Sequence, residues 1–225
     1  MAQNDERDAS APGQRSGNTP ERVSGTRRRS KRSDQTKEQI MEAAARVFAD
    51  YGYDSASLDS IAANAGMTKG TLYYHFDSKE AIYSAVLVRF LGESHDRIVE
   101  IAQEDRPMAE IVEAIIDDQL DDTLRPEKRY IHYQEMLRVN DETRLIVREA
   151  QRRYEWALAD ILERGQKTGV VTDGDPRLLA LILIGTIGRT ARWYRPEGRI
   201  PVDEYRETMK RLLLHGYLTD RARNS

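Results

Sequence analysis

The segment Ser57–Lys79, SLDSIAANAGMTKGTLYYHFDSK, constrains the fold more than any other part of the chain. Leu58, Ile61, Ala62 and Ala65 recur at the i, i+3, i+4, i+7 spacing of one buried helical face, and Ser57 precedes them as an N-cap. Gly66 accepts a left-handed backbone without a Cβ penalty and ends that helix, and Thr68 is placed to cap the next. Two short helices joined this tightly form a helix-turn-helix. In the second, Leu72 and Phe76 share one face at i, i+4, while Lys69, Gly70, Thr71, Tyr73, Tyr74 and His75 surround it. At about 100° per residue, Tyr73 and Tyr74 project away from Phe76, so the aromatics do not make a single core stripe. Phe76 is assigned to the core. The remaining side chains suit phosphates and base edges, and Gly70 lets backbone approach backbone.

The ungapped run Ile61–Glu80, IAANAGMTKGTLYYHFDSKE, resembles the DNA-binding signature of TetR-type bacterial repressors. The resemblance implies that Ser57 and Thr68 bond phosphates through hydroxyl and cap amide. It implies further that Lys69 and Thr71 reach base edges or phosphate, that Gly70 permits the close approach, and that Tyr73, Tyr74 and His75 line the groove. Lys79, just inside the next helix capped by Ser78, adds a phosphate contact at that helix N-terminus.

With 225 residues the chain has room for a DNA-binding head and a larger body. Residues 1–33 are poor in aliphatic side chains and are expected to form a disordered arm. The run from Arg22 to Arg32 contains Arg27, Arg28 and Arg29 and no acid, which suits an arm lying on phosphates or in a minor groove; a solubilising tail is the alternative. Residues 34–79 make the head and residues 80–225 a helical ligand-binding and dimerisation body. The first head helix runs to Tyr51, with Ile40, Ala44, Val47, Phe48 and Tyr51 on one face and Gly52 as terminator. A formal charge of −3 argues against nucleic acid only if patches are ignored. The chain has no cysteine, an N-terminus without the apolar region of a signal peptide, and no apolar stretch of about 18 residues. A soluble, cytoplasmic protein is expected.

The fold class expected is all-α, because no alternating strand pattern of useful length appears. Body helices are expected over 108–124, 127–139, 142–168, a segment opening at Asp175 and Pro176, and 202–218. The run Leu178–Ile187 is nearly all apolar and must be buried by protein on every side. The last helix places Tyr205, Met209, Leu212, Leu213 and Gly216 on one side. TetR-like proteins pair their last two helices into a four-helix dimer interface, so the resemblance implies a homodimer on a two-fold operator in double-stranded DNA.

Asp117, Asp118 and Asp121 in DDQLD resemble the aspartate-rich motif by which all-helical prenyl-diphosphate enzymes hold magnesium, but no second motif follows. The four histidines show no metal-ligand spacing, and no catalytic serine motif or phosphate-cradling loop appears. A regulator, not an enzyme, is expected, with no cofactor and no metal. For its small-molecule effector, Tyr130, Tyr133, Met136, Tyr154 and Trp156 are candidate pocket residues, or ordinary core. The junction GRTARWYRPEGRI looks like that of TetR-type regulators of fatty-acid and steroid breakdown that sense acyl-CoA thioesters. That likeness implies Arg189, Arg192 and Arg195 for phosphates and Trp193 for stacking. A structural plug at a helix end is the alternative, and a drug-sensing regulator of an efflux pump is the alternative function.

Overall fold

The computed structural model describes residues 21–128, 140–218 and 220, with backbone alone at 21–30, 127 and 192. The chain divides into two units, Met1–Thr36 and Lys37–Ser225. Its helices are α1 Glu21–Ser55, α2 Leu58–Ala65, α3 Lys69–His75, α4 Lys79–Ala102, α5 Met108–Leu124, α6 Asp141–Lys167, α7 Pro176–Gly188, α8 Thr190–Trp193 and α9 Val202–Tyr217, with a 3-10 turn at Pro126–Lys128. Among the described residues the only pairing of strand type is an isolated bridge between Val171 and Leu218.

In the first unit the described part is the opening of α1. Residues 21–33, expected from their composition to be disordered, are helical. The segment lacks the means to build a core, but it contains no proline, and its arginines and lysine are good helix formers. Extending an existing helix costs far less than nucleating one. Residues 1–20 of the expected arm lie outside the described residues.

In the second unit two hydrophobic clusters organise the chain. The first gathers Ile40, Ala44, Val47 and Phe48 of α1, Ile61 and Ala62 of α2, Leu72 of α3, and Ile82, Tyr83, Val86, Leu87 and Phe90 of α4. Phe48, Tyr53 and Tyr83 form its aromatic centre, with Phe48 edge-on to Tyr83 at 5.2 Å and Tyr53 at 4.8 Å from Tyr83. Tyr51, expected in this core, is 64% exposed, and Tyr53 occupies the interior instead. Gly52 causes the exchange. Its φ of 73° breaks the helical register between the two tyrosines, so periodicity counted through Tyr51 no longer holds beyond it. The core also extends past Lys79 as far as Phe90 and takes in Val147 of α6, so a boundary at residue 79 would cut through it.

The second cluster joins Ile98 and Ala102 of α4, Ile111, Val112, Ile115, Ile116 and Leu120 of α5, Tyr154, Leu158, Ile161 and Leu162 of α6, and inward residues of α7 and α9. Helix α4, with 24 residues, is about 36 Å long at 1.5 Å per residue and contributes to both clusters. Helix α7 is covered on one face by this chain: Ala180, Leu183 and Ile187 are buried, while Leu178, Leu181 and Ile182 are 56%, 41% and 47% exposed. On α9, Leu212 is likewise exposed while Tyr205 and Leu213 are buried. The helix expected over 127–139 begins with the 3-10 turn and otherwise lies outside the described residues. No helix among the described residues is long and apolar enough to cross a membrane.

Candidate nucleic-acid interface and effector region

The site is built from local capping upward. Ser57 accepts the amide of Ser60 at 3.0 Å while the Ser60 hydroxyl serves the Ser57 backbone, a reciprocal cap that satisfies two orphan donors of α2. Gly66 closes α2 at φ 65°, its amide and that of Met67 returning to the carbonyls of Ala63 and Ala62. Thr68 then caps α3 by accepting the Thr71 amide at 3.2 Å. Leu72, 1% exposed, anchors α3 on the head core, with Phe76 partly buried against it.

One anchored side chain fixes which face of α3 looks outward. Tyr73 and Tyr74 are 51% and 74% exposed, with Tyr74 edge-on to His75 at 5.0 Å. Lys69 and Gly70 are exposed as well, and the hydroxyls of Thr68 and Thr71 meet at 3.0 Å. Lys69 Nζ donates to Asp59 Oδ2 at 3.0 Å, and this hydrogen bond raises its pKa. A Cβ added at Gly70 would meet only Thr68 Oγ1, at the ordinary distance of 3.7 Å. Among the described residues no contact requires glycine there.

Lys79 is placed otherwise than expected. Its Nζ donates to the carbonyls of Tyr53 at 2.8 Å and Ala56 at 3.0 Å, with Asp54 at 3.5 Å, and stands 4.4 Å from the Tyr53 ring centroid. These bonds tie the last turn of α1, which ends at Ser55, to the start of α4. The ammonium donors are thereby engaged by backbone carbonyls of the chain itself. Arg27, Arg28 and Arg29 fall on the backbone of α1, and their side chains lie outside the described residues.

The acidic run on α5 is neutralised residue by residue. Asp117 and Glu113 pair with Lys210 of α9 at 2.8 and 2.7 Å, and Asp121 pairs with Arg206 at 2.7 Å. Asp118 faces the other way and accepts from Arg97 Nε at 2.8 Å. Each of these carboxylates is paired with a cation, Glu113 and Asp117 sharing Lys210, and no group of three or more metal-ligating side chains occurs among the described residues. This pairing gives the magnesium-dependent alternative no support. The buried member of the run is Asp122, which sequence reading passed over; its i, i+4 relation to Asp118 was the available signal.

The described effector candidates do not share one cavity. Tyr154 points inward, its hydroxyl donating to Gln119 Oε1, and burial pushes its pKa upward. Trp156 lies on the opposite, exposed side of α6, under the guanidinium of Arg177 at 5.1 Å. It borders an open groove of about 620 Å³ lined also by His95, Glu149, Arg152, Arg153 and Asp160. At the junction, Tyr194 stacks on Tyr205 at 4.5 Å and donates to Ile200 O, while Tyr205 donates to the buried Thr190 hydroxyl at 2.7 Å. Trp193 meets both rings edge-on but is half exposed. Arg195 donates to the Tyr194 carbonyl at 2.8 Å, and Arg189 is exposed at the α7 C-cap. The side chain of Arg192, and Tyr130, Tyr133 and Met136, lie outside the described residues.

A two-helix DNA-reading unit resting on the long helix α4 and a helical body defines a helix-turn-helix transcription regulator. Residues 40–86 match the family described as "Bacterial regulatory proteins, tetR family", and residues 105–217 match the "Tetracyclin repressor-like, C-terminal domain". The chain belongs to the TetR family. A TetR/AcrR-family transcriptional regulator of Thermobifida fusca has a similar structure, with 32% identity, 80% of this chain and 97% of that chain covered, and a TM-score of 0.65. The HTH-type transcriptional repressor KstR2 of Rhodococcus jostii is 28% identical over 181 residues, 79% of this chain and 89% of its own length. The regulator FadR of Bacillus subtilis, solved in complex with stearoyl-CoA, is 26% identical, with 80% and 98% coverage and a TM-score of 0.68.

Proposed function

We propose that this chain is a homodimeric, effector-released repressor whose α3 reads a near-palindromic operator and whose effector is an acyl-CoA thioester. The observation that carries the DNA reading is Gly70, an exposed glycine that internal packing does not demand, set among exposed Lys69, Tyr73 and Tyr74. Backbone approach to phosphate is the use that remains for it. Two-fold association is supported by the uncovered apolar faces of α7 and α9. Repression and the thioester are supported by the repressor KstR2 and by the stearoyl-CoA complex of the Bacillus subtilis regulator. Effector binding in the body would favour an inclination of α4 at which the two recognition helices misfit successive major grooves. A coupling of about 1–3 kcal/mol weakens operator binding by about 5- to 150-fold.

The test is fluorescence anisotropy on the DNA upstream of the coding gene, titrated with acyl-CoA thioesters of increasing chain length and with the matching free acids. Release by thioesters and not by acids is expected. Tyr73→Ala should weaken operator binding about tenfold, equivalent to about 1.4 kcal/mol, with the dimer intact. Full affinity in that variant would displace α3 from the groove, and release by drug-like aromatics alone would replace the thioester with an efflux-type effector.

A further inference from the structure

Between α4, α5 and the 3-10 turn lies a buried charge cluster that the DNA interface does not use. Asp122, 6% exposed, is its centre. Lys128 from the turn pairs with Asp122 Oδ2, and Arg97 from α4 reaches Asp122 Oδ1 while its Nε donates to Asp118. Ser94 Oγ of α4 lies 2.9 Å from Asp122 Oδ2 and 3.3 Å from Lys128 Nζ. Lys128 also stands 4.8 Å from the ring of Phe90, a member of the head core. Burial drives the pKa of Lys128 below the ordinary lysine range against the pull of Asp122, so the ammonium depends on that carboxylate. The next face of α5 carries Glu113, Asp117 and Asp121, all committed to Lys210 and Arg206 of α9. Helix α5 is therefore an ionic strap with α9 on one side and α4 on the other.

We propose that Asp122 is a positioning residue that fixes the inclination of α4, acting through Arg97 and Lys128, and thereby sets where the recognition helix stands. Hydrophobic contacts between α4 and its neighbours tolerate sliding, because apolar surfaces are not directional. A buried carboxylate bridging two part-buried cations is not tolerant. Shifting α4 along α5 would part Arg97 from Asp118 and Asp122 and take Ser94 and Phe90 of α4 away from Asp122 and Lys128, leaving the 6%-exposed Asp122 carboxylate with less of its counter-charge, the costly outcome for a desolvated ion. The cluster thus admits only discrete positions of α4. This inference rests on the role given above to α4 in setting the spacing of the DNA heads.

The chain has no cysteine, so two can be introduced cleanly. Spin labels at Ala63→Cys on α2 and Lys167→Cys at the end of α6, both exposed, report the head-to-body distance by pulsed electron resonance. Labelled protein diluted with unlabelled protein removes distances between subunits. In wild type and Lys128→Arg the distribution should be narrow. In Asp122→Asn it should widen at least twofold or shift by several ångströms. The double variant Asp122→Asn/Lys128→Met removes the stranded charge and should regain thermal stability while keeping the wide distribution. A merely structural role would lower the melting temperature and leave the width unchanged. Equal distributions in folded wild type and folded double variant overturn the proposal. The measurement needs neither operator nor effector, so failure of the wild type to bind palindromic DNA would count against the repressor reading alone.

Discussion

Lys79 stands where an ammonium serves either the protein or DNA, and its two roles predict different experiments. Its bonds to the carbonyls of Tyr53 and Ala56 close the end of α1. Lys79→Met should therefore cost about 1–3 kcal/mol of folding stability, the range for leaving buried acceptors unpaired. The logarithmic salt slope of operator binding should stay at the wild-type value. A slope reduced by about one would return Lys79 to a phosphate. Its neighbour Glu80 gives a pH prediction. Hydrogen bonding to its own backbone amide lowers the Glu80 pKa, burial opposes this, and the hydroxyls of Ser78 and Tyr53 lower it further. A depressed carboxylate stabilises the folded state above the unfolded pKa of about 4.3, and that contribution is lost as pH falls through the folded value. Urea midpoints of wild type and Glu80→Gln should differ at pH 7 and converge in acid. A constant gap across that range would remove Glu80 from the balance.

Helices whose ends are fixed locally were legible in the sequence, because capping depends on a few adjacent residues. Ser57, Gly66 and Thr68 bound α2 and α3 as their chemistry dictates, and Asp175 with Pro176 opens α7. What escaped was tertiary: the Asp122 cluster, the capping use of Lys79, and the entry of Val147 into the head core each join residues distant in sequence. Effector candidates chosen by residue type scattered because Tyr154 and Trp156, two positions apart on a helix, face opposite ways. Close packing sets another limit at the end of α6. A Cβ at Gly165 would lie 2.4 Å from Val171 Cγ2, beside the bridge from Val171 to Leu218. Gly165→Ala should lower stability by about 1–3 kcal/mol, and Val171→Ala in the same chain should recover part of it. Thermal melts of the single and double variants test this, and an unaffected single variant would show that the strap of chain after α6 yields freely.

At the scale of the whole molecule, the proposed dimer rests on the uncovered faces of α7 and α9. Leu178, Leu181 and Ile182 on one helix and Leu212 on the other present apolar surface that a single protomer leaves in water. Leu181→Glu combined with Leu212→Glu should shift sedimentation equilibrium to monomer with helical content preserved, and operator affinity should collapse with it. A dimer that survives both charges would place the interface elsewhere.

Val147 carries a consequence for how the molecule can be taken apart. It sits in the first third of α6 and is buried with Leu87 and Phe90 in the core of the DNA head, while Leu158, Ile161 and Leu162 of the same helix belong to the body core. One rigid rod thus completes two interiors. A chimera that grafts residues 34–90 onto a foreign body would arrive with an open wound at Phe90, and heat should dismantle the native chain in one cooperative step, without a surviving head.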